Sequence, residues 1–166
     1  DFESPDSPEI EEITLRLGER EASFEVGELR LTTRLIEGEF PNYRGLIPAS
    51  HPNQLTVGRE SLVEAVRRVK LMAREPNTPV RLAMSAEGLE LVAITQDVGQ
   101  AHEQLDASYS GEELTVAFNP DYLLSGVEVS PGDEITLYTV DAQKPAVIRA
   151  QGADDFLYLL MPVRVS

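Results

Sequence analysis

The sequence predicts an α+β fold made of a duplicated β-α-β-β-β unit, with antiparallel sheets and two helices. Three observations support it. Leu55-Thr56-Val57 leads into a helical stretch over residues 60–74, and Leu114-Thr115-Val116 leads into a second over residues 119–127. After each helical stretch the hydrophobic period returns to two, over residues 80–85, 89–94 and 101–108 in the first copy and 135–140, 146–150 and 156–161 in the second. Turn chemistry falls at corresponding places, Ala86-Glu87-Gly88 and Asp141-Ala142-Gln143, where Gly88 offers the positive φ of a tight turn.

In chain order, residues 1–8 are acidic with two prolines and read as a mobile segment. Runs over residues 10–17, 22–26 and 29–36 alternate apolar and polar side chains, with Gly18 and Gly27 between them, and so read as a three-stranded meander. Three strands bury little by themselves, so residues 1–36 read as the end of a larger domain. Residues 38–48, Gly-Glu-Phe-Pro-Asn-Tyr-Arg-Gly-Leu-Ile-Pro, form a proline-bounded connector carrying aromatic and aliphatic side chains where an ordinary loop would be polar. The repeat begins after it. On the first helix, Leu62, Ala65, Val66, Val69 and Met72 fall on one face and should meet a sheet, while Val63, Arg67, Lys70 and Arg74 form another stripe. Asn119-Pro120 suits the second helix start, Asn as cap and Pro at the first helical position, and Pro131-Gly132-Asp133 closes that segment. The chain ends on Tyr158-Leu159-Leu160-Met161-Pro162-Val163-Arg164-Val165-Ser166, an apolar strand interrupted by a proline that cannot donate to a ladder. Residues after Pro162 must therefore lie on a sheet edge or leave the sheet.

With 166 residues the chain suits one complete domain and a piece of another, and the missing initiator Met suggests a fragment or a processed product. Apolar residues make up 42%, enough for a core, and no apolar run is long enough to span a bilayer. No cysteine is present, so disulfides and thiolate metal sites are excluded, which is compatible with the cytoplasm. Catalytic signatures are missing too. His51 and His102 are the only histidines and are isolated, so neighbouring residues build neither a nucleophilic triad nor a histidine-rich metal site. Glu11-Glu12, Glu112-Glu113 and Asp154-Asp155 are adjacent pairs that a strand would send to opposite faces. No phosphate-binding or dinucleotide fingerprint occurs, and no enzyme activity, metal or cofactor is expected. A net charge of −15 argues against tight sequence-independent nucleic-acid binding, which Lys and Arg supply.

The connector "GEFPNYRGLIP" and the terminal "YLLMPVRV", together with "AFNPDYLL", "ASYSG" and "KPAVIR" in the same order, resemble the bacterial DNA polymerase III β subunit, the β sliding clamp. That resemblance covers nearly the whole chain. It implies a DNA-clamp fold with sheets outside and helices on the inner face. Residues 1–48 would be the C-terminal part of the second clamp domain with the connector, and residues 49–166 the third domain. It further implies a cytoplasmic, nucleoid-associated processivity factor that tethers the replicative polymerase to double-stranded DNA and self-associates into a ring. Such a ring slides, and strong phosphate contacts would hinder it, so acidity is no objection. Polymerase and clamp-loader subunits would dock short linear motifs of the Gln-Leu-x-Leu-Phe type in a hydrophobic groove.

Carried over to this sequence, the peptide groove comprises Pro41, Leu46, Asn119, Tyr122, Pro145, Leu159, Met161, Pro162, Val163 and Arg164. Gly45 stands where many relatives carry Arg. The DNA-facing residues would be Arg67, Lys70 and Arg74, the alternative being a solvated face paired locally with Glu60 and Glu64. Leu71 and Met72 would join the ring interface, with Leu71 the stronger candidate because Met72 is also on the core face. The matching acidic stretch retains only Asp97 and Glu103. A rival reading is an acidic β-rich domain that binds or processes carbohydrate, weakened by 6% aromatics and no tryptophan. A purely structural interaction domain is the third.

Overall fold

A computed structural model describes residues 12–73, 78–95 and 99–164. The chain divides into two compact units, Asp1–Pro41 and Asn42–Ser166.

In the first unit β1 (Thr14–Leu17), β2 (Glu21–Val26) and β3 (Leu29–Arg34) form an antiparallel sheet in that order. Alternation sets the register: Leu15 pairs with Phe24 and Phe24 with Leu31, which gathers the apolar side chains on one face. That face stays largely open, and Leu15, Leu17, Leu29 and Leu31 are all exposed.

The second unit contains the duplication. Its elements are β4 (Asn53–Gly58), α1 (Arg59–Lys70), β5 (Val80–Ser85), β6 (Gly88–Thr95), β7 (Gly99–Leu105) and β8 (Ala107–Ser110). The second copy supplies β9 (Leu114–Phe118), α2 (Pro120–Glu128), β10 (Glu134–Thr139), β11 (Ala146–Ala150) and β12 (Ala153–Leu160). Two sheets result, ordered β12-β11-β10-β4-β8 and β7-β6-β5-β9. The first strand of each copy is exchanged: β4 pairs with β10, and β9 pairs with β5. The copies thus cannot separate without taking β4 and β8 from the five-stranded sheet and β9 from the four-stranded one.

Three expectations are corrected. The run over residues 101–108 is not one strand, because the chain leaves the four-stranded sheet after Leu105 and joins the five-stranded one at Ala107. The two Leu-Thr-Val triplets are not equivalent positions: Val57 stands one residue before the cap Gly58, whereas Val116 stands three before the cap Asn119. A slip of two keeps the same faces inward, so a strand tolerates it. Finally, α1 ends at Lys70 instead of reaching residue 74; Leu71, Met72 and Ala73 donate to carbonyls three residues back, at 3.1, 3.1 and 2.9 Å, tightening the last turn.

The core lies between helices and sheets. Leu62, Ala65, Val66 and Val69 of α1 and Leu123, Leu124 and Val127 of α2 are buried with Leu82, Leu91, Phe118, Leu137 and Ile148. Each fully buried Leu or Val side chain contributes about 1.5–3 kcal/mol before chain entropy is set against it. α1 lacks a capping side chain; its start is fastened instead to the turn after α2, Arg59 donating from its backbone N to Asp133 O and from Nε to Gly132 O, both at 2.8 Å. Gly88 has φ +118° and sits so close to β7 that an added Cβ would fall 2.8 Å from Leu105 O, which explains the glycine at this turn.

Candidate functional site: the terminal segment and the start of α2

β12 is an edge of the five-stranded sheet and β9 an edge of the four-stranded one. The chain after β12 crosses between them. Pro162 has no N–H, ladder pairing stops at Leu160, and Val163 N then donates to Ala117 O of β9 at 2.8 Å. The first copy makes the same crossing from β7 to β8, but there a ladder of four pairs forms, from Val57–Ala107 to Gln54–Ser110. Among the described residues the second crossing thus has one bond where the first has a strand.

Several of the expected groove residues meet at this crossing. Val147 pairs with Leu159 and Ala146 with Leu160, so Pro145 stands across from Met161 just past the ladder, on the side of Leu159. Met161 is 55% exposed, Arg164 is exposed, and Leu159, Pro162 and Val163 are half-buried. Ala117 leads through Phe118 into Asn119, so the tail lies beside the start of α2. Asn119 Oδ1 accepts from Asp121 N at 2.8 Å and Tyr122 N at 3.3 Å, capping the helix. The oxygen anticipated for a ligand is therefore engaged in the cap. The Nδ2 group has no partner among the described residues and remains able to donate. Tyr122 leaves α2 at 63% exposure, and its backbone carbonyl accepts from Tyr158 Oη at 2.9 Å. The result is a shallow apolar surface edged by an amide and a guanidinium, suited to aliphatic and aromatic side chains with a few polar groups. Leu46 lies on a single 3-10 turn, Tyr43–Leu46, half of it exposed; Pro41 is exposed at the end of the first unit. At Gly45 an added Cβ would meet nothing closer than Asn42 Nδ2 at 3.5 Å, so no steric reason excludes a larger residue there.

The cationic stripe of α1 is engaged across to α2. Arg67 Nη2 donates to Glu128 Oε1 at 2.8 Å and Lys70 Nζ bonds Asp121 Oδ1. With Leu71, Leu124 and Ser125 these residues line a groove of about 530 Å³ between the helices. Local pairing within α1 involves a different residue, Arg68, which reaches Glu64 at 3.4 Å and grips Glu103 of β7 through two bonds of 2.7 and 3.2 Å. That grip holds the Glu103 carboxyl below the usual carboxylate range. Val63, placed on the cationic stripe by spacing, is buried. Arg74 and Asp97 lie outside the described residues.

Leu71 and Met72 separate as periodicity suggests. Leu71 is 75% exposed; Met72 packs against the core, and its carbonyl accepts from Thr95 Oγ1 at 2.5 Å. β7, which Met72 approaches at Gly99, is a sheet edge. Sequence reasoning passed over Arg68, Tyr158 and Gly126. Only Tyr158 carried a signal, as the single residue with a polar tip among the aliphatic residues just before Pro162. Among the described residues no cluster of three or more His, Cys, Asp or Glu could hold a metal ion, and no described helix is long and apolar enough to cross a membrane.

Comparison with known proteins agrees with this geometry. Residues 44–164 match the family of the DNA polymerase III beta subunit, C-terminal domain. The beta sliding clamp of Streptomyces coelicolor is 39% identical over 155 residues, covering 90% of this chain and 41% of that protein. The beta sliding clamp of a Synechocystis species is 32% identical over 155 residues, covering 92% and 40%. A sliding clamp from Bartonella birtlesii, solved bound to griselimycin, superposes with a TM-score of 0.83 at 35% identity, covering 92% of this chain and 41% of that one. The chain thus spans about two fifths of the length of these relatives, and the carbohydrate alternative is set aside. The α+β fold with exchanged strands, the proline-stopped terminal crossing and these likenesses converge: the chain belongs to the DNA polymerase III beta subunit family, with residues 44–164 matching its C-terminal domain.

Proposed function

We propose that this chain acts as part of a DNA sliding clamp, the non-enzymatic ring that holds the replicative polymerase on duplex DNA in the bacterial cytoplasm. In this reading the terminal segment and the start of α2 receive short linear peptides of polymerase and clamp-loader subunits. Met161, Leu159, Pro162 and Tyr122 take Leu and Phe side chains, while Asn119 Nδ2 and Arg164 donate to the peptide's carbonyls. Arg67 and Lys70 of α1 face the duplex, and the exposed Leu71 joins the ring to its neighbour.

The observation that carries the reading is the crossing itself. An exposed Met161 lies between Tyr158, which bonds the first turn of α2, and Val163, which bonds Ala117 just before the Asn119 cap, and no described strand fills that crossing. A fluorescein-labelled pentapeptide of the Gln-Leu-x-Leu-Phe type, titrated by anisotropy, is expected to saturate on the full chain. Binding is expected to vanish when residues 161–166 are deleted, with the circular dichroism spectrum retained. Equal binding to both forms would rule out the groove.

A further inference from the structure

We propose that Tyr158 is a positioning residue for the peptide groove: it fixes the first turn of α2, and with it Tyr122, relative to the terminal segment. This rests on reading that surface as a peptide groove and adds the element that sets its width.

Tyr158 lies on β12 opposite Ile148, three residues before Met161, so its backbone is continuous with one wall. Its side chain reaches the other. The ring lies flat on Gly126 of α2, so close that an added Cβ would fall 2.4, 2.6 and 2.8 Å from Cδ1, Cε1 and Cγ. The hydroxyl then donates to Tyr122 O at 2.9 Å. Gly126 and Tyr122 are four residues apart and share one helical face. The Tyr122 carbonyl points along α2 toward Gly126, so ring and hydroxyl together clasp the point where the first turn of α2 is bonded to the second. No other residue of β12 makes a described side-chain hydrogen bond to α2. Burial raises the pKa of the hydroxyl, so the group remains a protonated donor through neutral pH.

The anchor is separable from folding. Leu160, Ile148, Leu123, Leu124 and Val127 are buried and hold β12, β11 and α2 in the core independently of the hydroxyl. Loss of the hydroxyl alone should leave the ring on Gly126 and free Tyr122 to shift.

The test is peptide titration of the wild-type chain, Tyr158→Phe, Gly126→Ala and, as a control, Leu91→Ala, which hollows the core on β6. Tyr158→Phe is expected to weaken the labelled pentapeptide about three- to tenfold, mostly through faster dissociation. Its thermal midpoint should change little, and amide exchange should quicken in the first turn of α2. Gly126→Ala displaces the ring and should weaken binding further. Leu91→Ala should lower the thermal midpoint without changing affinity below it. Tyr158→Phe binding as tightly as wild type would overturn the positioning role while leaving the groove intact. Equal losses in Tyr158→Phe and Leu91→Ala would likewise reduce Tyr158 to a stabilising residue. A wild-type chain that ignores the peptide would overturn groove and positioning role together.

Discussion

Asn119 shows how one side chain can set the start of a helix while its amide nitrogen stays free to donate. Its Oδ1 satisfies two N–H groups at the start of α2, and Pro120 at the first helical position needs no partner. Asn119→Ala is expected to lower unfolding free energy by about 1 kcal/mol, measured by urea denaturation, and to weaken peptide binding as the first turn frays. His51 is a second residue-scale case. Its Nε2 is buried without a described partner, and the ring stands edge-on to Tyr138 at 5.5 Å. Burial, and then the nearby Arg149 charge, push its pKa below the ordinary imidazole value of 6.5. The folded chain therefore resists protonation that the unfolded chain accepts: the stabilisation is complete above pH 6.5 and declines as pH falls from there through the folded value. Between about pH 7 and 5 the thermal midpoint of wild type should fall more steeply than that of His51→Gln, and parallel profiles would exclude the effect.

At the scale of elements, the helix pair governs charge. Arg67 and Lys70 point the same way from α1, yet Glu128 and Asp121 of α2 engage both. Such exposed pairs are worth only about 0–1 kcal/mol each, so in the proposed DNA-facing role phosphate would displace the carboxylates at little cost. The double variant Asp121→Asn, Glu128→Gln should bind a short duplex more tightly at low salt, and its log K against log salt should steepen by up to about 1.8 if both freed cations reach phosphate. An unchanged slope in fluorescence anisotropy would remove these residues from the DNA face.

For the whole molecule, the first unit matters because the apolar face of its described sheet is exposed. Leu15, Leu17, Leu29 and Leu31 are exposed side chains on the apolar face of three strands, an arrangement that marks surface to be covered. The chain is expected to bind the dye ANS under native conditions, and Leu15→Thr with Leu31→Thr should remove most of that fluorescence. A wild-type chain giving no dye signal would contradict an open face. The net charge of −15 works the other way and favours dispersal of the chains at low salt.

Periodicity alone determined the local elements. The alternation from Val80 to Ser85, the helical face from Leu62 to Val69, the Asn119 cap and the turn at Gly88 were all readable, because each depends on residues close together in the chain. The cluster at the chain terminus was legible only in part: Pro162 announced that pairing must end there, whereas the words "YLLMPVRV" and "GEFPNYRGLIP" supplied the rest by likeness. Tertiary structure decided what crosses between segments. It split the run over residues 101–108 between two sheets and exchanged β4 with β9. It also turned Arg67 toward Glu128, sixty-one residues away, and laid Tyr158 on a glycine thirty-two positions earlier in the sequence. The physical reason is that side-chain period reports which face of an element is apolar, not which partner covers it. Partners are chosen by the space and hydrogen-bond capacity left when all the faces are packed together.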